Sequence, residues 1–183
     1  PLTRAVLAAH GVPVPGGATL VTGDEPVLDA LRYPVIVKPA ASDASHGITL
    51  ESVVDSPDAA RARARWLRAT YDQAAVVEEF VAGRELNVSI LGEGAGASTL
   101  PLFEIDFDDV YPAGKPQLVT YISKWGPEDH PEFKGSCSVP AKPLPPGAAE
   151  RVRETALAAY RAIGLRDYGR VDIRLHPERG PFV

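Results

Sequence analysis

The sequence contains no methionine and a single cysteine, Cys137. A lone thiol excludes an internal disulfide framework and fits a reducing compartment, so a cytoplasmic protein is expected. Positive charge is short: 19 Lys and Arg stand against 24 Asp and Glu, for a net charge of −5. That balance argues against a nucleic-acid partner, which calls for a basic field. No apolar run approaches the roughly 18 residues that cross a bilayer, and no signal-peptide pattern opens the chain, so no membrane partner is expected. Without methionine the chain reads as a piece that lacks its own start. It ends on Pro181-Phe182-Val183, inside what reads as a strand, so further sequence is expected after it.

What is present is ordinary for a globular protein: 183 residues, 45% hydrophobic and 23% charged, enough for one domain or two joined lobes. Thr3 reads as the N-cap of a short helix to His10, stopped by Gly11. Pro13 and Pro15 then force an extended link into Thr19-Leu20-Val21, and a second short helix covers Pro26 to Leu31. Val35–Pro39, a small-residue loop and Ile48–Ser52 read as a hairpin. Ser56 caps a helix to Tyr71, with Pro57 in its first turn, and the strand Ala75–Phe80 follows. Leu86–Leu91, Leu100–Phe107 and Arg170–Leu175 read as strands, the first and last with period two, and Leu118–Trp125 as a β-like run. The best helix covers 148–163, with Ala148, Val152, Ala156, Ala159, Tyr160 and Ile163 on one stripe and Gly164 closing it. A hinge near Ala82-Gly83 is expected to separate a small lobe, 1–82, from a larger one, 83–183.

Four places carry candidate chemistry. Lys38 closes the apolar strand Val35-Ile36-Val37, and its ammonium must lie in a cleft, in an ion pair or in solvent. The loop Ala40–Gly47 beside it is built of small residues, which lets backbone N–H groups approach a polyanion. It lacks the Walker A order, because the lysine precedes the loop. Glu78-Glu79-Phe80-Val81, with Glu85 beyond, suits either a solvated strand end or a purine and ribose pocket. Arg170 and Asp172 share one strand face, as an ion pair or as an active-site pair in which the aspartate holds Mg²⁺. Lys124 follows Ser123 at a loop mouth and suits either solvent or a phosphate.

Taken in order, these residues resemble the ATP-grasp superfamily, and more closely its D-alanine–D-alanine ligase-like branch. The resemblance runs from Pro1-Leu2-Thr3-Arg4 and Gly11-Val12-Pro13-Val14-Pro15 to Tyr168-Gly169-Arg170-Val171-Asp172. It implies an α/β (α+β) ATP-grasp fold, in which two α/β lobes clasp a nucleotide between antiparallel sheets. It also implies an ATP-dependent carboxylate–amine ligase that forms a peptide-like bond through an acyl phosphate and releases ADP and phosphate. By position, Lys38 and the loop residues Ser45, His46 and Gly47 meet the ATP phosphates. Glu78, Glu79, Phe80 and Val81 take adenine-pocket positions, Glu85 the ribose, and Lys124 a phosphate from a mobile loop. Arg170 is implied as the catalytic group that stabilises the tetrahedral intermediate, and Asp172 as a ligand of Mg²⁺, or of Mn²⁺ in its place. The remaining metal ligands, in a Glu-x-Asn pattern, would follow Val183, so little turnover is expected of this stretch alone. The partners implied are a small-molecule carboxylate and an amine, with a homodimer as one assembly. A nucleotide-binding module without catalysis, or a degenerate homologue, is the alternative.

Two departures bear on the substrate. Ala44 stands where D-alanine–D-alanine ligases carry a loop serine, and Trp125 where they carry its tyrosine partner; neither side chain makes that hydroxyl–hydroxyl bond. His10 and His176 read as structural, Cys137 lacks an activating base, and the acidic run Glu104–Asp109 lacks an EF-hand pattern. Arg61, Arg65 and Arg68 share a helix face that is expected to meet water.

Overall fold

The computed structural model describes residues 2–183; Pro1, where the resemblance begins, lies outside the described residues. In chain order the elements are α1 (Leu2–Ala9), β1 (Gly17–Leu20), β2 (Val35–Pro39), β3 (Val53–Val54), α2 (Pro57–Tyr71), β4 (Ala75–Glu79), β5 (Arg84–Leu91) and β6 (Ser98–Thr99). Then follow β7 (Phe103–Phe107), α3 (Tyr121–Trp125), α4 (Pro131–Lys134), β8 (Ser136–Pro140), α5 (Ala148–Ile163), β9 (Tyr168–His176) and β10 (Gly180–Phe182). Contacts gather them into two compact units. One comprises Pro15–Phe80 and Phe107–Ser136; the other comprises Leu2–Val14, Val81–Asp106 and Cys137–Val183.

The first unit is built on an antiparallel sheet in the order β1-β4-β2-β3. Alternation along β2 buries Val35, Val37 and Pro39 and leaves Ile36 and Lys38 on the other face. The buried face packs on Ala60, Ala64 and Leu67 of α2, with Leu20, Leu28 and Val77 completing the core. Helix α2 starts where the sequence says it should. The Ser56 hydroxyl accepts the Ala59 N–H, Pro57 takes the first turn, and Asp72 ends it in the left-handed region. Sequestering Leu67 alone is worth about 1.5–3 kcal/mol. Arg61, Arg65 and Arg68 do not simply meet water: they tie α2 to the segment 21–29 through Asp29, Asp24 and the Val21 carbonyl.

The second unit carries the sheet β10-β9-β5-β7-β8, with β6 also paired to β5. Period-two alternation puts Leu86, Val88 and Ile90 of β5 and Val171, Ile173 and Leu175 of β9 on one face. They pack against Val152, Ala156, Ala159 and Tyr160 of α5 and Leu7 of α1. The opposite face presents Glu85, Asn87, Arg170, Asp172 and Arg174, because these residues alternate with the buried ones.

Four local expectations change. Ile48–Ser52 is not a strand: Thr49 and Ser52 cap each other around one tight turn, and pairing with β2 is postponed to Val53–Val54. The β-like run to Trp125 becomes α3, because Thr120 and Ser123 form a capping box that outweighs the β-propensity of the run. Strand β7 begins only at Phe103, after Pro101, which has no N–H for a ladder. Helix α1 already includes Thr3, so Thr3 is not its cap.

Candidate functional site

In the first unit the β2–β4 register places Lys38 opposite Val76 and Ile36 opposite Glu78, so Lys38 and Glu78 lie diagonally on one face. The Lys38 Nζ meets the Glu78 carboxylate at 2.6 Å, with the lysine side chain still 36% exposed. Of the environments open to it, the ion pair is the one adopted. Glu79 lies 3.7 Å from the exposed Arg32, and Phe80 donates its N–H to the Pro34 carbonyl, which holds the strand end in place.

The loop after Lys38 is a pair of consecutive turns. His46 N–H reaches the Asp43 carbonyl, and Ile48 N–H reaches that of Ser45, both at 2.9 Å. Ala44 and Ser45 both have positive φ, 49° and 62°, as a type I′ turn requires. Neither residue favours that region, so the loop carries a cost of order 1–2 kcal/mol per residue that surrounding contacts must offset. Gly47, at φ +73°, is needed for a further reason: a Cβ there would sit 2.6 Å from Pro39 Cγ. The turn pattern uses the amides of His46 and Ile48 and leaves those of Ala44, Ser45 and Gly47 outside it.

Those offsetting contacts come from α3 and from α2. The Ser45 hydroxyl donates to the Val119 carbonyl at 2.9 Å, and Tyr121 N–H donates to that of Ile48 at 2.9 Å. The His46 ring lies 5.0 Å from the Tyr121 ring, tilted by 58°. Trp125 donates its indole N–H to the Ala44 carbonyl at 3.1 Å. Thus the two residues that depart from the ligase pattern still meet, through a backbone oxygen in place of a hydroxyl. The start of α3 is fixed by the buried Thr120 hydroxyl, which donates to the buried Glu132 carboxylate. Lys124 lies exposed on α3. From behind, Arg63 of α2 reaches the Gly47 carbonyl.

In the second unit the open face of β5 and β9 holds two linked groups. Arg170 grips Asp172 with two hydrogen bonds, Nε to Oδ1 at 2.6 Å and a terminal nitrogen to Oδ2 at 3.0 Å, while the Asn87 amide donates to Oδ1 at 2.9 Å. The bond it donates to Asp172 and the charge of that carboxylate hold the Arg170 guanidinium above its ordinary range, against the opposing effect of burial. One pair along the strand, Arg174 bonds the Glu85 carboxylate at 3.1 Å and the carbonyl of the buried Val81 at 2.9 Å. Gly83 makes that approach feasible, since at φ +129° a Cβ would run into the Leu175 carbonyl.

Among the described residues no group of three or more His, Cys, Asp and Glu is gathered to hold a metal. Mg²⁺ takes as few as one or two carboxylates and completes its octahedron with waters and phosphate oxygens, and Asp172 Oδ2, which accepts one bond from Arg170 while Oδ1 accepts two, keeps a lone pair for such an ion.

Sequence reasoning missed Arg63, Asn87 and Arg174. Arg174 is two residues beyond Asp172, so the same period that joined Arg170 to Asp172 points to it. Arg63 lies three after Ala60 and four before Leu67, on the flank of the buried stripe of α2, and that spacing was its signal.

The family described as "D-ala D-ala ligase C-terminus" matches residues 19–183. The D-alanine–D-alanine ligase of Bordetella avium is 33% identical over 184 residues, covering 100% of this chain and 53% of that protein. An uncharacterised protein of Sinorhizobium fredii, y4sG, is 31% identical over 182 residues, covering 100% of this chain and 50% of its own length. The crystal structure of the D-alanine–D-alanine ligase of Bacillus anthracis complexed with ATP superposes with a TM-score of 0.69 at 22% identity, over 100% of this chain and 51% of that one. The chain therefore spans about half the length of the curated relatives it matches. With most of its residues inside that match and the fold of the solved ligases in hand, this chain belongs to the D-ala D-ala ligase C-terminus family and has the ATP-grasp fold.

Proposed function

We propose that this chain is the nucleotide-binding and catalytic core of an ATP-dependent ligase that joins a small-molecule carboxylate to an amine. The observation that supports it most directly is the loop 42–47. It is held in an unfavourable backbone conformation beside a strand-end lysine, an arrangement that sets backbone amides next to a cation and suits a phosphate.

In this reading Lys38 and the loop amides take the ATP phosphates, with Ser45 and His46 shaping the loop and Lys124 adding charge from α3. Glu78 holds the Lys38 ammonium in place, and Glu79, Phe80 and Val81 border the base. Glu85, oriented by Arg174, accepts from the ribose hydroxyls. Asp172 supplies a carboxylate for Mg²⁺, which when bound neutralises the phosphoryl group in transfer. The substrate carboxylate attacks the γ-phosphorus to give an acyl phosphate and ADP; the amine then attacks the acyl carbon and phosphate departs. Arg170 stabilises the oxyanion formed in that second step, and no side-chain nucleophile is needed. The protein is proposed to act in the cytoplasm. Because Ala44 and Trp125 depart from the D-alanine–D-alanine ligase pattern, the substrates are proposed by class, a carboxylate and an amine.

Calorimetric titration with Mg-ATP tests the binding step. Lys38→Ala removes a charged hydrogen bond of about 1.5–3 kcal/mol and should raise Kd about 10- to 100-fold. An unchanged Kd removes Lys38 from the phosphate site. A longer protein that includes this chain should release ADP and phosphate when given its carboxylate and amine; release of AMP and pyrophosphate would overturn the mechanism.

A further inference from the structure

Arg63 has contacts that α2 does not need. One terminal nitrogen of its guanidinium lies 3.0 Å from the Gly47 carbonyl, 3.1 Å from the Thr49 hydroxyl and 3.1 Å from the Ser52 hydroxyl. Ser52 is fully buried, and the guanidinium carbon stands 4.1 Å over the Trp66 ring. The Arg63 Nε is buried without a hydrogen-bond partner in the protein. A cation set partly into an interior that orphans one of its donors is costly to keep, and burial pushes the guanidinium below its ordinary range. Salt bridges do not account for it: Arg61 and Arg65 on the same helix take the aspartates, whereas Arg63 takes a main-chain carbonyl and two hydroxyls.

All three of its acceptors lie in 47–52, the stretch that closes the loop onto β3. With the Gly47 carbonyl held by Arg63 and the Ile48 N–H of the same peptide closing on the Ser45 carbonyl, the Gly47–Ile48 peptide plane is fixed, and the amides of Ala44 and Ser45 stay outside the turn bonding. We infer that Arg63 is a positioning residue for the phosphate loop: it touches no ligand and sets the orientation of the loop amides by holding the Gly47 carbonyl, Thr49 and Ser52. The inference rests on the reading of 42–47 as a phosphate loop. The guanidinium spans the Trp66 ring and the three acceptors, so lysine is a poor replacement, since it has neither the planar fork nor the reach.

Three proteins decide it: the unaltered chain, Arg63→Lys, and Thr49→Val, which removes one of the three acceptors together with the Thr49 hydroxyl's cap on Ser52 and its bond to Glu51. Each is titrated with Mg-ATP and with adenosine, which carries no phosphate, and unfolded thermally. Arg63→Lys is expected to weaken Mg-ATP binding about tenfold and Thr49→Val by less, with adenosine binding and the unfolding midpoint little changed. Equal Mg-ATP affinity in the unaltered chain and in both variants would overturn the role of Arg63 and leave the nucleotide reading standing. Parallel loss of ATP and adenosine binding, with a falling midpoint, would make Arg63 a scaffold residue and equally overturn it. If the unaltered chain binds adenosine but gains nothing from the phosphates, the phosphate-loop reading itself fails.

Discussion

Glu25 shows how one side chain can set a loop. Its carboxylate accepts the amides of Val21, Thr22 and Gly23 at 2.6, 2.8 and 2.9 Å. Burial alone would raise its pKa, but the backbone donors outweigh it and bring the group down to about 2. A carboxyl depressed in the folded state stabilises above the unfolded value and loses that contribution as pH falls through the folded one. Chemical denaturation should therefore find Glu25→Gln less stable than the parent at pH 7, with the gap closing between about pH 4.5 and pH 2. A gap that persists at pH 2 would refute the assignment. Trp125 is a second case. Trp125→Phe keeps an aromatic ring, smaller than the largely exposed indole, and removes the N–H that bonds the Ala44 carbonyl, a bond worth about 0.5–1.5 kcal/mol. Amide exchange over residues 43–47 should quicken about 2- to 10-fold while the rest of the chain holds. No change there would mean that the indole bond does not restrain the loop.

At the scale of elements, the decisive feature is how β5 is launched beside β9. Gly83 brings the chain within contact of the Leu175 carbonyl, so that Arg84 opposes Leu175 and Asn87 opposes Asp172. Gly83→Ala combines a steric clash with a φ of +129° that L-residues rarely adopt, and should cost about 3 kcal/mol or more. Because the register sets the partner of Asp172, the same variant should also disturb the Asn87–Asp172 bond, visible as a shift of the Asn87 side-chain amide resonance. A stable variant with that resonance unmoved would show that the close approach is not needed. The helix α3 teaches a related lesson. Five residues held by a capping box and by the buried Thr120–Glu132 contact carry His46's neighbour Tyr121 and Ala44's partner Trp125.

For the molecule as a whole, the two units have separate apolar cores, one around Leu67 and Val77 and one around Leu86, Val88, Tyr160 and Ile173. Leu86→Ala opens a cavity in the second and should cost about 2–5 kcal/mol. Hydrogen exchange should then accelerate across β5, β9 and α5, with β2 and β4 little affected; uniform acceleration over both sheets would show that the cores do not melt separately. Both sheets use the same device. Along β2, β5 and β9 alternation buries one face and sets Lys38, Glu85, Arg170, Asp172 and Arg174 on the other, so foundation and chemistry come from one strand pattern.

Much of this was legible in the residues. The period of Arg170–Leu175, the Ser56-Pro57 start of α2 and the stripe of α5 are local signals, because hydrophobic alternation and capping act within a few residues. So was the order of lysine, small loop, acidic strand end and Arg-x-Asp that carries the family likeness. Contacts remote in sequence were not legible. That Lys38 pairs with Glu78, that Arg63 reaches back to Gly47, and that Trp125 bonds the carbonyl of Ala44 depend on strand register and helix placement, which only folding brings about. The sequence by itself determined the capped helix α2, the striped helix α5 and the alternating strands, with their buried faces and the kinds of charged group on the open ones; the turn at Thr49–Ser52 and the helix α3 came only with the fold. The tertiary structure decided which charge meets which, because a side chain's partner is set by the packing of segments far apart in the chain.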